Sequence, residues 1–185
     1  MPKINWMSRD EILRWSRNYD NDPEMTEDNE TEINLGAKIR RTETVSQNDL
    51  LELVRWKFRF LPGRERRVKK YVKRNSDTQI AECFQAALRE PNERRRFEIL
   101  DDLWGIGPAM VSVILTFYDP RRYGVLDIHG WDELIGGNRP NNLFNGPTRL
   151  IEYLQGLRLI AEEYMLPVRQ VEKAYFYRNA NPAIN

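Results

Sequence analysis

Apolar residues recur along most of the chain at intervals of three and four, the period of an amphipathic α-helix. Six segments carry such a face: Ile12, Leu13 and Trp15; Leu50, Leu51, Leu53, Val54 and Trp56; Ile80, Ala81, Phe84, Ala87 and Leu88; Val111, Val113, Ile114 and Phe117; Leu150, Ile151, Leu154, Leu157, Ile160 and Ala161; and Val168, Val171 and Tyr175. No stretch of any length alternates between apolar and polar residues, as a half-buried strand would. The pattern predicts an all-α protein.

Capping and helix-breaking residues indicate where these helices begin and end. The predicted boundaries are Ser8 with Glu11 as a capping box, Ser46 as an N-cap, Leu61-Pro62-Gly63 as a break, Ser76 or Asp77 as an N-cap, Pro91 as a break, and Gly136-Gly137 after a helix near 128–135. Residues 20–32 are acidic and almost free of apolar side chains, which predicts an exposed loop.

Residues 103–109 read Leu-Trp-Gly-Ile-Gly-Pro-Ala and lie between two helical patterns. Gly105-Ile106-Gly107 predicts a tight turn of a kind that glycine adopts at little cost, and Pro108 suits the first turn of the helix that follows. Such a turn directs backbone N–H groups outward, where they can bind a phosphate. The alternative is an ordinary turn between two helices, because a chain with 10 glycines can produce Gly-x-Gly by chance.

A second motif, Val125-Leu126-Asp127-Ile128-His129, follows the second of these helical patterns. Its carboxylate therefore lies one helix away from the turn and is available for chemistry on whatever the turn holds. Asp127 is also a good N-cap for a helix beginning at Ile128, since Asp is among the preferred capping residues. His129 is the single histidine of the chain, and a functional and a structural role both remain open.

The formal net charge of +1 hides an uneven distribution. Residues 51–100 hold 14 Lys and Arg against 7 Asp and Glu, whereas both flanking segments carry a net negative charge. Within 55–74 there are ten basic residues and one acid. A helix starting near Gly63 would place Val68, Tyr71 and Val72 on its apolar face and Arg66, Lys69, Lys70 and Lys73 on the other. This surface is a candidate for binding a polyanion, and a solvated helix face is the alternative.

Several other classes of protein are disfavoured by the sequence. The single Cys83 excludes an internal disulfide and a four-cysteine iron–sulfur cluster, and its helical context predicts a small buried side chain. No apolar run reaches the roughly 18 residues of a membrane span, and the first residues lack the apolar core of a signal peptide. We therefore expect a cytoplasmic or nucleoid-associated protein. Zinc chemistry is disfavoured by the lack of a second His or Cys, and no Gly-x-Ser-x-Gly elbow is present.

Together the two motifs resemble the core of the helix-hairpin-helix DNA glycosylases of the Gly-Pro-Asp type. The hairpin of that superfamily usually reads Leu-Pro-Gly-(Val/Ile)-Gly, and this chain matches it at Leu103, Gly105, Ile106 and Gly107 but has Trp104 in place of the proline. The essential Asp of the superfamily follows in a (Val/Leu)-Asp-x-His motif, which residues 126–129 match at the expected spacing. The resemblance covers about thirty residues.

The resemblance implies two helical lobes with a cleft between them. Residues 46–126 would form the central lobe, which contains the hairpin, and residues 1–45 with 128–185 would form the second. Asp127 would lie at the boundary and face the cleft as the catalytic carboxylate. Strand-cleaving members carry a lysine two residues after the second hairpin glycine, where this chain has Ala109, so the resemblance implies a monofunctional glycosylase without lyase activity.

The implied partner is duplex DNA, bound by a monomer. The residues expected to contact it are Gly105, Ile106, Gly107 and Ala109 of the hairpin, His129, and Arg66, Lys69, Lys70 and Lys73 of the basic helix. Backbone carbonyls of Leu103 and Ile106 could hold a monovalent cation that bridges to a phosphate, and no other cofactor is expected. The alternative function is a DNA-binding module that has kept the hairpin without catalysis.

A pocket for a flipped base needs flat faces on which the base can stack. The aromatic candidates are Trp6, Trp15, Trp56, Trp104, Tyr118 and Trp131. Of these, Trp104, Tyr118 and Trp131 are the favoured residues, and Trp104 stands out because it replaces the hairpin proline. Each of them could instead belong to the core, since tryptophan at helical spacing is usually buried. The sequence does not identify the base.

Overall fold

The computed structural model describes residues 4–136 and 139–181. Over these residues the chain forms ten α-helices, one short 3-10 helix at Pro23–Met25 and no strand, which confirms the all-α prediction. The helices are α1 Arg9–Asn21, α2 Thr26–Thr42, α3 Gln47–Phe58, α4 Pro62–Val72, α5 Asp77–Arg89, α6 Glu93–Asp101, α7 Pro108–Tyr118, α8 Ile128–Ile135, α9 Pro147–Tyr164 and α10 Val168–Ala180.

The predicted capping residues begin the helices as expected. Ser8, Ser46 and Ser76 each accept a hydrogen bond from the backbone N–H three residues later, and the side chain at that third position bonds back to the cap. Each arrangement satisfies two N–H groups that have no partner within the helix. Pro62 and Pro108 occupy the first turns of α4 and α7, and Gly136 ends α8. Gly137 lies outside the described residues.

The prediction of an exposed loop over residues 20–32 is wrong. Asp22 caps the 3-10 helix, and α2 begins at Thr26 with acidic residues in its first turn, where they favour the positive end of the helix dipole. The apolar face of α2 starts only at Leu35, after this acidic turn. The segment therefore has too few apolar residues to show a helical period, although it is helical.

The helices bury one continuous apolar core, with α7 at its centre. Ten consecutive residues of α7 are buried, and the helix contacts α2, α3, α6 and α9. A second set of contacts joins α10 to α1, α8 and α9. The division into lobes 46–126 and 1–45 with 128–185 stays a prediction. Among the described helices, none is long and apolar enough to cross a membrane.

Candidate functional site

The predicted hairpin is formed by α6, the turn at residues 102–107, and α7. Gly105 has a φ of +82°, a left-handed conformation that side chains rarely adopt, and Gly107 is the N-cap residue of α7. The buried side chain of Asn75 holds the turn in place. Its Nδ2 donates to the Trp104 carbonyl at 3.0 Å, and its Oδ1 accepts from the Trp104 N–H at 2.9 Å.

The hairpin should tolerate no side chain at Gly105. A Cβ there would lie 3.0 Å from Tyr71 Cβ and 3.1 Å from the carbonyl oxygen of Val68, in addition to the strain of a positive φ. We expect Gly105→Ala to lower the free energy of unfolding by about 1–3 kcal/mol in urea denaturation. Gly63→Ala is the matched control, because nothing lies within 4 Å of its Cβ position. Equal effects of the two substitutions would show that the turn is not constrained.

The hairpin offers both backbone N–H groups and carboxylates to a ligand. Gly105 and Gly107 are half-buried, whereas Ile106 and Ala109 are buried. The N–H groups of the first turn of α7, among them that of Ala109, have no acceptor within the helix. Two carboxylates, Asp101 and Asp102, lie at the end of α6 beside this turn, and burial raises the pKa of Asp101.

The turn also offers carbonyl oxygens of the kind that a monovalent cation binds. The Leu103 carbonyl accepts the N–H of Ile106 at 3.0 Å, and a carbonyl oxygen with a second lone pair can still act as a ligand. The nearby carboxylates of Asp101 and Asp102 would favour a positive charge there. A cation at the carbonyls of Leu103 and Ile106 stays a prediction.

The basic segment, residues 55–74, has a less positive surface than its composition suggests. Four of its ten basic residues are paired with carboxylates: Arg55 with Glu27, Lys57 with Asp127, Arg59 with Asp28, and Lys69 with Glu65. The predicted DNA contacts Arg66, Lys70 and Lys73 are exposed on α4 and just beyond it, as are Arg67 and Arg74. Lys69 is the predicted contact whose charge is already balanced.

A pocket of about 280 Å³ is lined by four of the five residues of the Asp127 motif. Its walls are formed by residues of α1, the 3-10 helix, α2, α3, α8 and α10 and of two connecting segments: Tyr19, Met25, Asp28, Trp56, Lys57, Phe60, Leu61, Val125, Asp127, Ile128, His129, Arg169, Glu172 and Phe176. The volume is close to the lower end of the range for small-molecule sites. Flat aromatic faces and buried charges thus meet in one cavity.

Asp127 is held at this pocket by the chain on both sides of it. Leu126 is buried and donates its N–H to Ser112 Oγ at 2.9 Å, which fixes the approach to the carboxylate. Oδ1 of Asp127 accepts the N–H of His129 at 3.0 Å, so Asp127 is the N-cap of α8, as one of the two interpretations predicts. Its second oxygen, Oδ2, accepts a hydrogen bond from Lys57 Nζ at 2.7 Å.

The ion pair with Lys57 keeps Asp127 ionised. Burial opposes the charge of this carboxyl group, but the Lys57 ammonium and the N–H of His129 outweigh it and lower the pKa of Asp127 below its ordinary value. The Lys57 side chain is 9% exposed and that of Asp127 is 22% exposed. The pair is therefore largely shielded from solvent, with Asp127 the more accessible partner.

Two further carboxyl groups line the pocket and have different environments. Burial raises the pKa of Asp28 to about 6 against the opposing charge of Arg59. Burial also raises the pKa of Glu172, even though Glu172 pairs with the buried Arg169. Arg169 in turn donates two hydrogen bonds to Glu32, at 3.0 and 2.8 Å. The floor of the pocket is thus a buried charge network linking α2 and α10.

None of the three favoured aromatic candidates lines this pocket, and their assignment to a base pocket stays a prediction. Trp131 is 3% exposed and stacks on Tyr153 in the core. Tyr118 packs edge-on against Phe84. Trp104 is exposed on the hairpin, where the Arg74 guanidinium lies 3.8 Å from its ring centre.

The aromatic side chains that do line the pocket are Tyr19, Trp56, Phe60 and Phe176. Trp56 was among the wider set of aromatic candidates. Its indole Nε1 donates to the Asp28 carbonyl at 3.1 Å, which fixes the ring in the wall. Phe60 is 64% exposed at the rim, so it is accessible to a ligand that enters from solvent.

His129 lines the same pocket as Asp127. Its ring lies edge-on to Phe176, and Nδ1 is 2.9 Å from Oδ1 of Asn179. The histidine is therefore anchored within the fold and also half-exposed at the site. Both of the roles considered for it, contact with a ligand and structural support, fit this position.

Lys57 is one of several pocket residues that the sequence analysis did not identify. It follows Leu50 by seven residues and Leu53 by four, so it lies on the apolar face of α3, where a lysine is rarely buried without a partner. A lysine at an apolar-face position indicates a buried ion pair. Lys57 did not stand out in the sequence, because it is one of ten basic residues between 55 and 74. Its partner, 70 residues away, could not be identified from local pattern.

Comparisons of the chain with protein-family models, with curated proteins and with solved structures found no match. Membership of the helix-hairpin-helix glycosylases stays a prediction from the hairpin and Asp127 motifs.

Proposed function

We propose that the protein is a DNA glycosylase of base-excision repair, which hydrolyses the N-glycosidic bond of a damaged or mispaired base flipped out of duplex DNA. The observation that supports this best is the ionised Asp127 in a pocket walled by aromatic side chains. A flipped base needs such a pocket, since it exchanges stacking in the duplex for stacking on protein rings. The pocket is lined from both proposed lobes, by Trp56 and Val125 on one side and Tyr19 and Ile128 on the other.

In this proposal Asp127 acts on the sugar. Cleavage of the N-glycosidic bond develops positive charge at C1′, and a fixed carboxylate beside C1′ stabilises that charge. The same carboxylate orients the attacking water and accepts its proton. A low pKa suits the electrostatic task, because Asp127 stays ionised over the whole neutral range.

The proposed DNA surface combines the hairpin with α4. Backbone N–H groups at Gly107 and Ala109 bind one phosphate, and a monovalent cation at the carbonyls of Leu103 and Ile106 would bridge to it. Exposed cations on and after α4 contact further phosphates, and His129 lies where it could reach the phosphate beside the flipped nucleotide. These contacts hold the distorted duplex while the base occupies the pocket.

The direct test is excision from duplexes that each carry a single lesion or mismatch. The protein is incubated with each duplex, and alkali then reveals any abasic site as a strand break. We expect a break at the lesion in at least one duplex of a panel of alkylated, oxidised, deaminated and mispaired bases. Binding to every duplex with excision from none would contradict the catalytic proposal.

The alternative proposal is a DNA-binding module without catalysis. One observation favours it: Asp127 already has two structural tasks, as the N-cap of α8 and as the counter-ion of Lys57. Such a module would bind duplex DNA with the hairpin and α4 and would leave every lesion intact. The excision panel separates the two functions, because both predict binding and only the glycosylase predicts abasic sites.

Binding to duplex DNA should depend strongly on salt. Arg66, Arg67, Lys70, Lys73 and Arg74 form a group of exposed cations on α4 and the residues after it. If each neutralises one phosphate, log K falls with log salt with a slope of about −4 to −5. Fluorescence anisotropy across a salt series measures this slope.

Single substitutions refine the test of the basic surface. Lys70→Gln should reduce the magnitude of the slope by about 1, since one phosphate contact is lost. Lys69→Gln is the matched control and should change the slope less, because Glu65 already pairs with Lys69 at 2.5 Å. A slope near zero, or an unchanged slope in Lys70→Gln, would contradict the assignment of the DNA surface to α4.

A further inference from the structure

Lys57 gives the pocket a primary amine in contact with the proposed catalytic carboxylate. Nζ lies 2.7 Å from Asp127 Oδ2, and both residues line the same cavity. In the proposed complex Asp127 faces C1′ of the flipped nucleotide. An amine one hydrogen bond away from that carboxylate is therefore close to C1′ as well.

The ion pair with Asp127 does not by itself require a lysine at position 57, since an arginine could also form it. The pocket's other buried cation is Arg169, whose guanidinium forms a network of hydrogen bonds and cannot act as a nucleophile. A lysine amine is a nucleophile once it has lost a proton, and it forms imines with carbonyl compounds. Lys57 also lies on the apolar face of α3, which shields its amine from bulk water.

We propose that Lys57 provides a second activity, in which its amine forms an imine with the abasic sugar and the DNA strand is cleaved by β-elimination. This inference rests on the proposed function, since the abasic sugar is the product of base excision. It reverses the expectation of a purely hydrolytic enzyme, which was based on Ala109 in the hairpin. The amine comes instead from α3, 52 residues earlier in the chain.

The chemistry balances with the groups in the pocket. As Nζ attacks C1′ of the ring-opened sugar, one proton of the Lys57 ammonium passes through Asp127 to the aldehyde oxygen. A second proton from Nζ then lets that oxygen leave as water, and Asp127 is again ionised. The product is an iminium in which C1′ is doubly bonded to Nζ. Loss of a proton from C2′ to Asp127 breaks the C3′–O bond, and the electron pair leaves with the 3′ phosphate. Water then hydrolyses the imine, which releases the amine and an unsaturated aldehyde on the cleaved strand.

The test uses a duplex with one abasic site made in advance by enzymatic removal of a uracil, so that no excision is required. The full-length protein is incubated with this duplex and borohydride, which reduces an imine to a stable covalent adduct. We expect the wild-type protein to form an adduct that is visible on a denaturing gel. Digestion with trypsin should place it on the peptide of residues 56–59, because a modified Lys57 is no longer a cleavage site.

Lys57→Arg should form no adduct while still binding the abasic duplex, since arginine keeps the positive charge beside Asp127. Lys38→Arg is the matched control, because Lys38 pairs with Asp49 outside the pocket, and it should form the adduct at the wild-type level. An adduct on another amine, or none with the wild-type protein, would overturn the inference. If Lys57→Arg does not fold, the peptide assignment in the wild-type protein decides.

The outcomes for the two proposals are separable. Excision of a lesion without any adduct on the abasic duplex overturns the role of Lys57 and leaves the glycosylase intact. An adduct at Lys57 without excision of any lesion supports the imine chemistry and contradicts the glycosylase. Failure to bind the abasic duplex at all overturns both.

Discussion

Asp127→Asn should lower the rate of base excision by about 10²–10⁴-fold, the usual contribution of a general base or a charge-stabilising group. The substitution removes the negative charge that would face the developing cation at C1′. It keeps the size of the side chain and an oxygen for the N–H of His129, since Asn caps a helix about as well as Asp. Single-turnover excision on an active lesion measures the effect, and a rate near that of the wild type would leave Asp127 as a cap alone.

A control is needed because Asp127→Asn also leaves the shielded Lys57 ammonium without a counter-ion. An unpaired cation in this environment destabilises the fold, so part of a lost rate could be lost protein. The double variant Asp127→Asn, Lys57→Met removes both charges and should recover stability relative to the single variant, as measured by thermal unfolding. If the carboxylate is required for chemistry, the excision rate of the double variant should be as low as that of Asp127→Asn.

The pH profile gives an independent check on Asp127. Its pKa lies below the ordinary value for Asp, which is about 3.9, so the carboxylate is ionised at every pH above that value. We therefore expect no loss of excision from protonation of Asp127 between pH 5 and pH 8. A decline centred within that range would have to come from another group, and Asp28, whose pKa is raised to about 6, lines the same pocket.

The local parts of the structure could be predicted from the sequence. Ser8, Ser46 and Ser76 fix helix starts through bonds that span three residues, so the information lies within one turn. The turn at Gly105 is equally local, because a positive φ favours glycine. Asp127 was identified by its spacing from the hairpin, and the structure places it in the pocket.

The pocket itself could not be predicted, because its walls come from distant segments. Lys57 and Asp127 are 70 residues apart, and Trp56 is fixed by the Asp28 carbonyl 28 residues away. The sequence offers aromatic candidates but does not show which of them the fold buries. Trp131 is an example, since the buried face of α8 turns it towards Tyr153 and away from the cavity.

The charge distribution was misread for a related reason. Composition shows an acidic first segment and a basic middle segment, but it does not show that α2 and α3 lie side by side. Glu27 and Asp28 of α2 pair with Arg55 and Arg59 of α3. Part of the negative charge of the first segment therefore neutralises part of the positive charge of the middle segment. Among the described residues, the exposed cations of the basic segment that remain without a carboxylate partner lie on α4 and directly after it, and they are the charged part of the proposed DNA surface.

Of the substitutions proposed, Arg169→Met should destabilise the protein most. It should lower the free energy of unfolding by about 3–5 kcal/mol, the usual cost of removing one partner from a buried ion pair. Arg169 is 5% exposed and is the shared partner of Glu172 and Glu32. Arg178→Met is the matched control on the same helix. It should cost less than about 1 kcal/mol, since its ion pairs with Glu11 and Glu133 are longer and more exposed.

The loss at Arg169 should also depend on pH. Without the guanidinium, burial at Glu172 is opposed only by the weaker attraction of Lys57, so the pKa of that carboxyl group in the folded state rises further above its unfolded value. A group with a raised carboxyl pKa binds its proton more tightly in the folded state, and the fold then loses stability as pH rises. Urea denaturation at pH 5 and pH 8 should therefore show a larger deficit for Arg169→Met at pH 8. A deficit that is equal at both values, or no larger than that of Arg178→Met, would mean that the floor of the pocket does not depend on this charge network.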